Sequence, residues 1–168
     1  PAGPFNLPTN TAVAENGEVA AVADDEGTVT VVERNGATRY TRPARGEQGE
    51  RVTALSFLAD GHLVIARESL DVTLGEEEEI VIEWWNPLGQ EVGRTTLRQR
   101  CEVLEATENG VLAGMFDGEV VEYDSEREGK ARFKSAFSIH DLLSVGENMV
   151  VTSWFEVYLV DASGDDIW

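Results

Sequence analysis

At 168 residues and 42% hydrophobic, the chain is long enough to bury a sizeable core as one domain. Its formal net charge of −19 comes from 32 acids against 13 bases, of which only Lys130 and Lys134 are lysine, so the basic stripe that phosphate binding needs is absent and nucleic acid is not expected as a ligand. No apolar run approaches the ~18 residues of a membrane-spanning helix, no signal peptide is visible and no membrane insertion is expected, which makes a cytoplasmic location the default.

Residues 1–10, with Pro1, Pro4 and Pro8, cannot form a regular element and are expected to lie extended along an edge. An alternating segment at 11–14 then runs into Asn16-Gly17, and the phrase VAAVADDEGTVTVVERNGATRY at 19–40 reads as three strands joined by tight turns. The pattern returns three times. Residues 52–58 precede Asp60-Gly61 and a second phrase at 62–92, which an insertion at 69–78 interrupts. Residues 101–107 precede Asn109-Gly110 and the phrase VLAGMFDGEVVEYDSEREGKARF at 111–133. Residues 139–145 precede Gly146 and the phrase MVVTSWFEVYLVDASGDDIW at 149–168. Each repeat is therefore four short strands, and the repeats span approximately 9–44, 50–98, 100–135 and 137–168.

Aligning the repeats places Glu33, Asn86, Asp124 and Asp161 in register, with Gly36, Gly89, Gly129 and Gly164 closing the turns that follow. The closing glycines recur at a mean interval of roughly 43 residues, the spacing of four-stranded propeller blades. Two-residue hairpins need positive φ, which Asn-Gly and Asp-Gly supply, and an aspartate or asparagine before a longer turn can accept a hydrogen bond from the backbone two residues on. Four residues past the glycines stand Tyr40, Phe133 and Trp168, while the second repeat departs with Gly93. A four-stranded meander is too thin to fold alone, so the fold class is all-β, with four antiparallel repeats stacking as the blades of a whole small propeller or of part of a larger ring.

The phrases V-x-A-G-x-x-D-G-x-V-x-x-Y-D-x(4)-G-K-x-x-F at 111–133 and V-x-L-V-D-A-S-G-D-D-I-W at 157–168 resemble the pyrroloquinoline-quinone-type propeller repeat, and WD-repeat propellers look similar at this level. The resemblance covers all four repeats, is sharp in the last two, and implies that the aromatic after each glycine docks between blades. Members of that repeat family include quinoprotein dehydrogenases and non-catalytic scaffolds such as the bacterial outer-membrane assembly lipoprotein. The dehydrogenases use adjacent cysteines, whereas this chain has only Cys101, so no cofactor is expected.

Catalytic constellations are hard to assemble. Only His62 and His140 are present, neither at metal-ligand spacing, and no serine lies in a G-x-S-x-G elbow. The glutamates at 76–79 lack the alternating ligand pattern of a calcium loop, so no metal is expected. Cys101 opens an apolar strand and reads as a small buried hydrophobe, and Trp84 and Trp85 read as core because both faces of a blade are covered. The leading expectation is a non-enzymatic scaffold that presents loops to a protein partner. The alternative is a ligand-binding protein or hydrolase with a site in the central channel, built from His140, Asp141 and Glu105.

In a propeller the first strand of each blade is innermost, and the connections between second and third strands emerge on the face that carries the blade-to-blade connections. That face collects the insertion with Leu74, the Trp154-Phe155 pair at a second-to-third-strand turn, and Arg45 and Arg51 in the 43–51 connection. Aromatics and arginine are the side chains most enriched at binding hot spots, so these five residues are the expected partner site. The acidic balance reads as adaptation to molar salt, where charges are screened within a few ångströms, or as a surface for a basic partner. Self-association that completes a ring is a further expectation.

Overall fold

The computed structural model describes residues 8–45, 49–69 and 80–168, and within them the chain forms fifteen strands and no helix. Residues 70–79, with Leu74 and the glutamates at 76–79, residues 46–48 and the N-terminal segment at 1–7 lie outside the described residues. The chain divides into two compact units, Pro1–Leu97 and Arg98–Trp168.

The first unit holds two antiparallel meanders. One is β1 (Pro8–Val13), β2 (Val19–Asp24), β3 (Val29–Glu33) and β4 (Thr38–Arg42); the other is β5 (Glu50–Phe57), β6 (Leu63–Ser69), β7 (Ile80–Trp85) and β8 (Glu91–Thr96). Strict alternation in β2 and β3 turns Val19, Ala21, Ala23, Val29 and Val31 to one side, where they pack on Val52, Leu55, Phe57, Leu63 and Ile65 of the second sheet. Each meander thus covers the apolar face that the other exposes. Trp84 is buried and Trp85 is half-buried, as core positions require.

The second unit repeats the plan. Here β9 (Cys101–Ala106), β10 (Gly110–Met115), β11 (Glu119–Asp124) and β12 (Gly129–Lys134) form one sheet, and β13 (Ile139–Val145), β14 (Asn148–Ser153) and β15 (Val157–Val160) form the next. The fourth sheet has three full strands and the beginning of another: Val160 bridges Asp166, and Leu159 exchanges hydrogen bonds with Ile167 and Trp168. Leu112 and Val120 pack on Ile139, Leu142, Met149, Val151 and Val160 between the two sheets.

Turn chemistry corrects two expectations. The hairpins at Gly17, Gly61 and Gly118 are not two-residue loops with two positive φ values; each closes by the glycine N–H donating to the carbonyl three residues back, with only the glycine left-handed. That is a type I turn followed by a left-handed residue, which leaves the preceding Asn or Asp in ordinary geometry. The second correction is at the third repeat. The turn after Asp124 is closed by Arg127, at φ +68° the one non-glycine residue with positive φ among those described, while Gly129 is already inside β12. The capping role read from sequence does hold: Asn86, Asp124 and Asp161 each accept, through one side-chain oxygen, the N–H groups two and four residues on.

The aligned aromatics pack as their register implies where a neighbouring sheet follows. A β-bulge at Arg39 in β4 and at Arg132 in β12 places Tyr40 and Phe133 immediately after the extra residue. Tyr40 lies on the Gly89 turn of the next sheet, so closely that a Cβ on Gly89 would sit 2.6 Å from its Cγ. Phe133 meets Tyr158 of the next sheet at 4.9 Å between ring centroids. Trp168 occupies the same register position but is 69% exposed, so the expectation that it packs as Tyr40 and Phe133 do is corrected.

Candidate functional site

Within each unit, taken by itself, the turn between second and third strands sits beside the connection between its two sheets. Glu50 N–H donates to the Glu26 carbonyl at 3.4 Å in the first unit, and Ser135 N–H donates to the Gly118 carbonyl at 2.8 Å in the second.

In the second unit this end is aromatic. The β14–β15 turn carries Trp154 and Phe155, 64% and 78% exposed. It contains no glycine and is closed by Ser153 N–H donating to the Glu156 carbonyl at 2.9 Å. Phe155 stands edge-on to Phe137 of the β12–β13 connection, centroids 5.1 Å apart, and Trp154 stands edge-on to His140 at 4.5 Å. Phe116, at the tip of the β10–β11 turn, is 52% exposed with the Arg100 guanidinium 4.9 Å over its ring. Four aromatic rings therefore face solvent from three turns of one unit. Such surface is costly to leave in water and is characteristic of a docking site.

The charges around these rings are unevenly matched. Arg100 is paired with Glu102, and Lys134 with Asp117 at 2.9 Å. Partial burial pushes the Asp117 carboxyl up, but the Lys134 ammonium and the Glu119 N–H outweigh it and hold it below the usual carboxylate range. Asp141 accepts the Leu142 N–H at 3.0 Å, and Glu156 accepts the Tyr158 hydroxyl, which pushes that phenol up. Neither Asp141 nor Glu156 has a cationic partner among the described residues.

The three residues expected to line a channel do not converge. His140 is the extra residue of the bulge between Ile139 and Asp141, and both belong to the aromatic end. Glu105 instead accepts the Ser144 N–H at 3.2 Å, roughly 10 Å further along β13 at strand rise. Arg45 and Arg51 are engaged within the first unit: Arg45 with Glu91 and, at 3.4 Å, with Glu83, and Arg51 with Glu68.

Arg45 belongs to a cluster that the sequence does not announce. Glu83, fully buried on β7, receives Arg67 Nε at 2.8 Å, Arg42 Nη2 at 3.2 Å, Arg94 Nη2 at 3.1 Å and the Trp85 indole N–H at 3.0 Å. Glu50 of β5 pairs with Arg42 and, at 3.1 Å, with Arg67. Burial pushes the Glu83 carboxyl up, but Arg42, Arg67 and Trp85 more than offset this and hold it below its ordinary value. Burial also pulls the Arg42 guanidinium down, with Glu83 opposing. These partners are up to 41 residues apart in a chain rich in acids, so no local pattern marks them. Phe116 and Phe137 had a readable signal, since each is an aromatic placed in a turn or connection where polar residues are the rule.

Two further features have simple roles. Cys101 is buried, its thiol pushed up to about 12 by desolvation, which makes it inert. At the other end of the second unit, Glu108, Asn109, Glu122, Arg132, Glu147 and Asn148 line a polar cleft of about 460 Å³, in which Arg132 pairs with Glu122 and donates to the Ala162 carbonyl at 3.1 Å. Among the described residues no three His, Cys, Asp or Glu converge as metal ligands, and no helix is long and apolar enough to cross a membrane.

Comparison with solved structures places this geometry. The chain is similar to the computationally designed Ika4 protein at 18% identity and a TM-score of 0.70, over 95% of this chain and 93% of that one. It is similar to the β-propeller domain of Myceliophteria thermophila Cps50 (Swd1) at 14% identity and a TM-score of 0.74, over 99% of this chain and 56% of that one. The computationally designed Ika8 protein matches at 19% identity and a TM-score of 0.66, over 90% of this chain and 45% of that one. The chain thus spans about half the length of the last two. No protein-family model matches it and no curated protein does. At these identities the likeness concerns fold alone: the four repeats are β-propeller blades.

Proposed function

We propose that the chain is a non-enzymatic β-propeller scaffold of a high-salt cytoplasm, and that it holds a protein partner against the aromatic end of its second unit. The observation that carries this reading is the exposure of Trp154 and Phe155 at 64% and 78%, on a turn whose neighbours add Phe116 and Phe137. The rings stand on short turns closed by backbone hydrogen bonds between paired strands, which limits the ordering that a partner must impose. The alternative of a catalytic or ligand site at His140, Asp141 and Glu105 is disfavoured by the separation of Glu105 from the other two. In the first unit Arg45 and Arg51 would act, if at all, through the pairs they already make.

The test is photo-crosslinking in an extract of the source cells, with benzoylphenylalanine in place of Phe155 or, at the other end of the unit, of Glu147. The reading predicts one discrete adduct from position 155, whose protein component binds the purified chain directly and loses that binding with Trp154→Ala. Equal adducts from both positions, or binding indifferent to Trp154→Ala, would overturn it.

Self-association that completes a ring is a separate proposal. Trp168 holds the position from which Tyr40 and Phe133 cover the next sheet, yet its ring stands exposed. Under that reading sedimentation shows a species above 18.4 kDa that Trp168→Ala dissociates; a monomer at high concentration contradicts it.

A further inference from the structure

We infer that the segment docked on the aromatic end is cationic and apolar together: lysine or arginine flanked by aliphatic or aromatic side chains. The inference rests on the proposed partner-binding role of this end and adds its chemistry. Trp154, Phe155, Phe137 and Phe116 offer apolar faces; Glu156 stands in the turn that carries Trp154 and Phe155, and Asp141 follows His140, whose ring meets Trp154. Arg100 is used by Glu102 and the ring of Phe116, and Lys134 by Asp117, while the exposed Arg98 of the β8–β9 connection pairs with neither Asp141 nor Glu156. Asp141 and Glu156 have no cationic partner among the described residues.

The consequence follows from desolvation. A neutral apolar segment laid over the rings would strip water from Asp141 and Glu156 and leave them unpaired, which opposes binding. An acidic segment would meet them, and a chain of net charge −19, with repulsion. A lysine or arginine placed between the rings answers both requirements at once, since its charge pairs with the carboxylates and its face stacks on an aromatic ring.

The probe is a fluorescein-labelled synthetic peptide, Ser-Leu-Arg-Trp-Arg-Leu-Ser, compared by anisotropy with the peptide in which both arginines are glutamate. Both are titrated with the full chain in about 0.15 M and about 1 M sodium chloride, over which the screening length falls from about 8 Å to about 3 Å. The basic peptide is expected to bind at least about tenfold more tightly than the acidic one at low salt. Asp141→Asn with Glu156→Gln keeps the acceptors for Leu142 and Tyr158 and should weaken it about tenfold, whereas Glu108→Gln with Glu147→Gln, at the other end, should change it less than about twofold. Equal binding of the two peptides, with loss on Trp154→Ala, would overturn the inference and leave the docking role standing. No measurable binding of the basic peptide overturns the inference as well. Equal weakening by the Glu108 and Glu147 changes would reduce the attraction to the general field, and indifference to Trp154→Ala would remove the docking role too.

Discussion

Glu83 shows how a single carboxylate joins two sheets. It is fully buried on β7, and the arginines that meet it come from β4, β6 and β8. Removing its charge leaves the buried Arg42 and Arg67 with Glu50 as their one remaining carboxylate among the described residues, two cations against one anion, so Glu83→Gln is expected to cost about 3–5 kcal/mol by chemical denaturation. A loss under about 1 kcal/mol would mean that water reaches the cluster. The folded carboxyl lies below its ordinary value of 4.5, and the sign follows. The stability it contributes is fully present above the unfolded value and is lost as pH falls through the folded one. The unfolding midpoint of the wild-type chain should therefore drop below about pH 4.5, and that part of the drop should vanish in Glu83→Gln. Arg127 offers the opposite case. It closes a turn at φ +68°, where its counterparts Gly36, Gly89 and Gly164 carry no Cβ, so Arg127→Gly should stabilise by about 0.5–1 kcal/mol. No gain would indicate that the arginine side chain compensates its own strain.

Strands and turns were the legible level. Period-two alternation in 19–24 and 29–33 marks a face because the side-chain period of a strand is two, and Asn86, Asp124 and Asp161 cap the turns they precede. The third-repeat turn was misplaced by two residues because Gly129 looks like the closing glycine while Arg127 performs the task. The Glu83 cluster was invisible for another reason: burial of a charge depends on which strands meet, and acids are spread over the whole chain. At the aromatic end, Trp154 and Phe155 were readable because they replace a turn's polar residues, whereas the unpaired state of Asp141 and Glu156 depends on where Arg100 and Lys134 find their partners. The element scale also separates packed from exposed rings. Phe133 is half-buried against Tyr158 and the inter-sheet core, so Phe133→Ala should cost about 3 kcal/mol. Trp154→Ala, which exposes nothing and empties no core position, should cost less than about 0.5 kcal/mol. Comparable losses in the two variants would show that the β14–β15 turn is part of the core.

Charge governs the whole molecule. With a net charge of −19, self-repulsion opposes the compact state, and the screening length shrinks from about 10 Å at 0.1 M salt to about 3 Å at 1 M. The Glu83 pairs are buried and much less screened than the surface acids, so relief of repulsion should win and unfolding midpoints should rise with sodium or potassium chloride. A flat or falling curve would contradict adaptation to high salt and leave the acidic surface to be explained by its partner. On the proposed reading the propeller is a frame: within each unit the sheets cover one another's apolar faces, and one end of the second unit exposes aromatic rings. That division between frame and docking end is tested most directly by measuring the affinity and the unfolding midpoint of Trp154→Ala/Phe155→Ala together, using the partner identified through the cross-link at position 155. The account predicts binding weakened by at least about 2 kcal/mol, about 30-fold, with the midpoint unchanged. Unchanged affinity, or a loss of binding that merely follows a loss of folding, would contradict it.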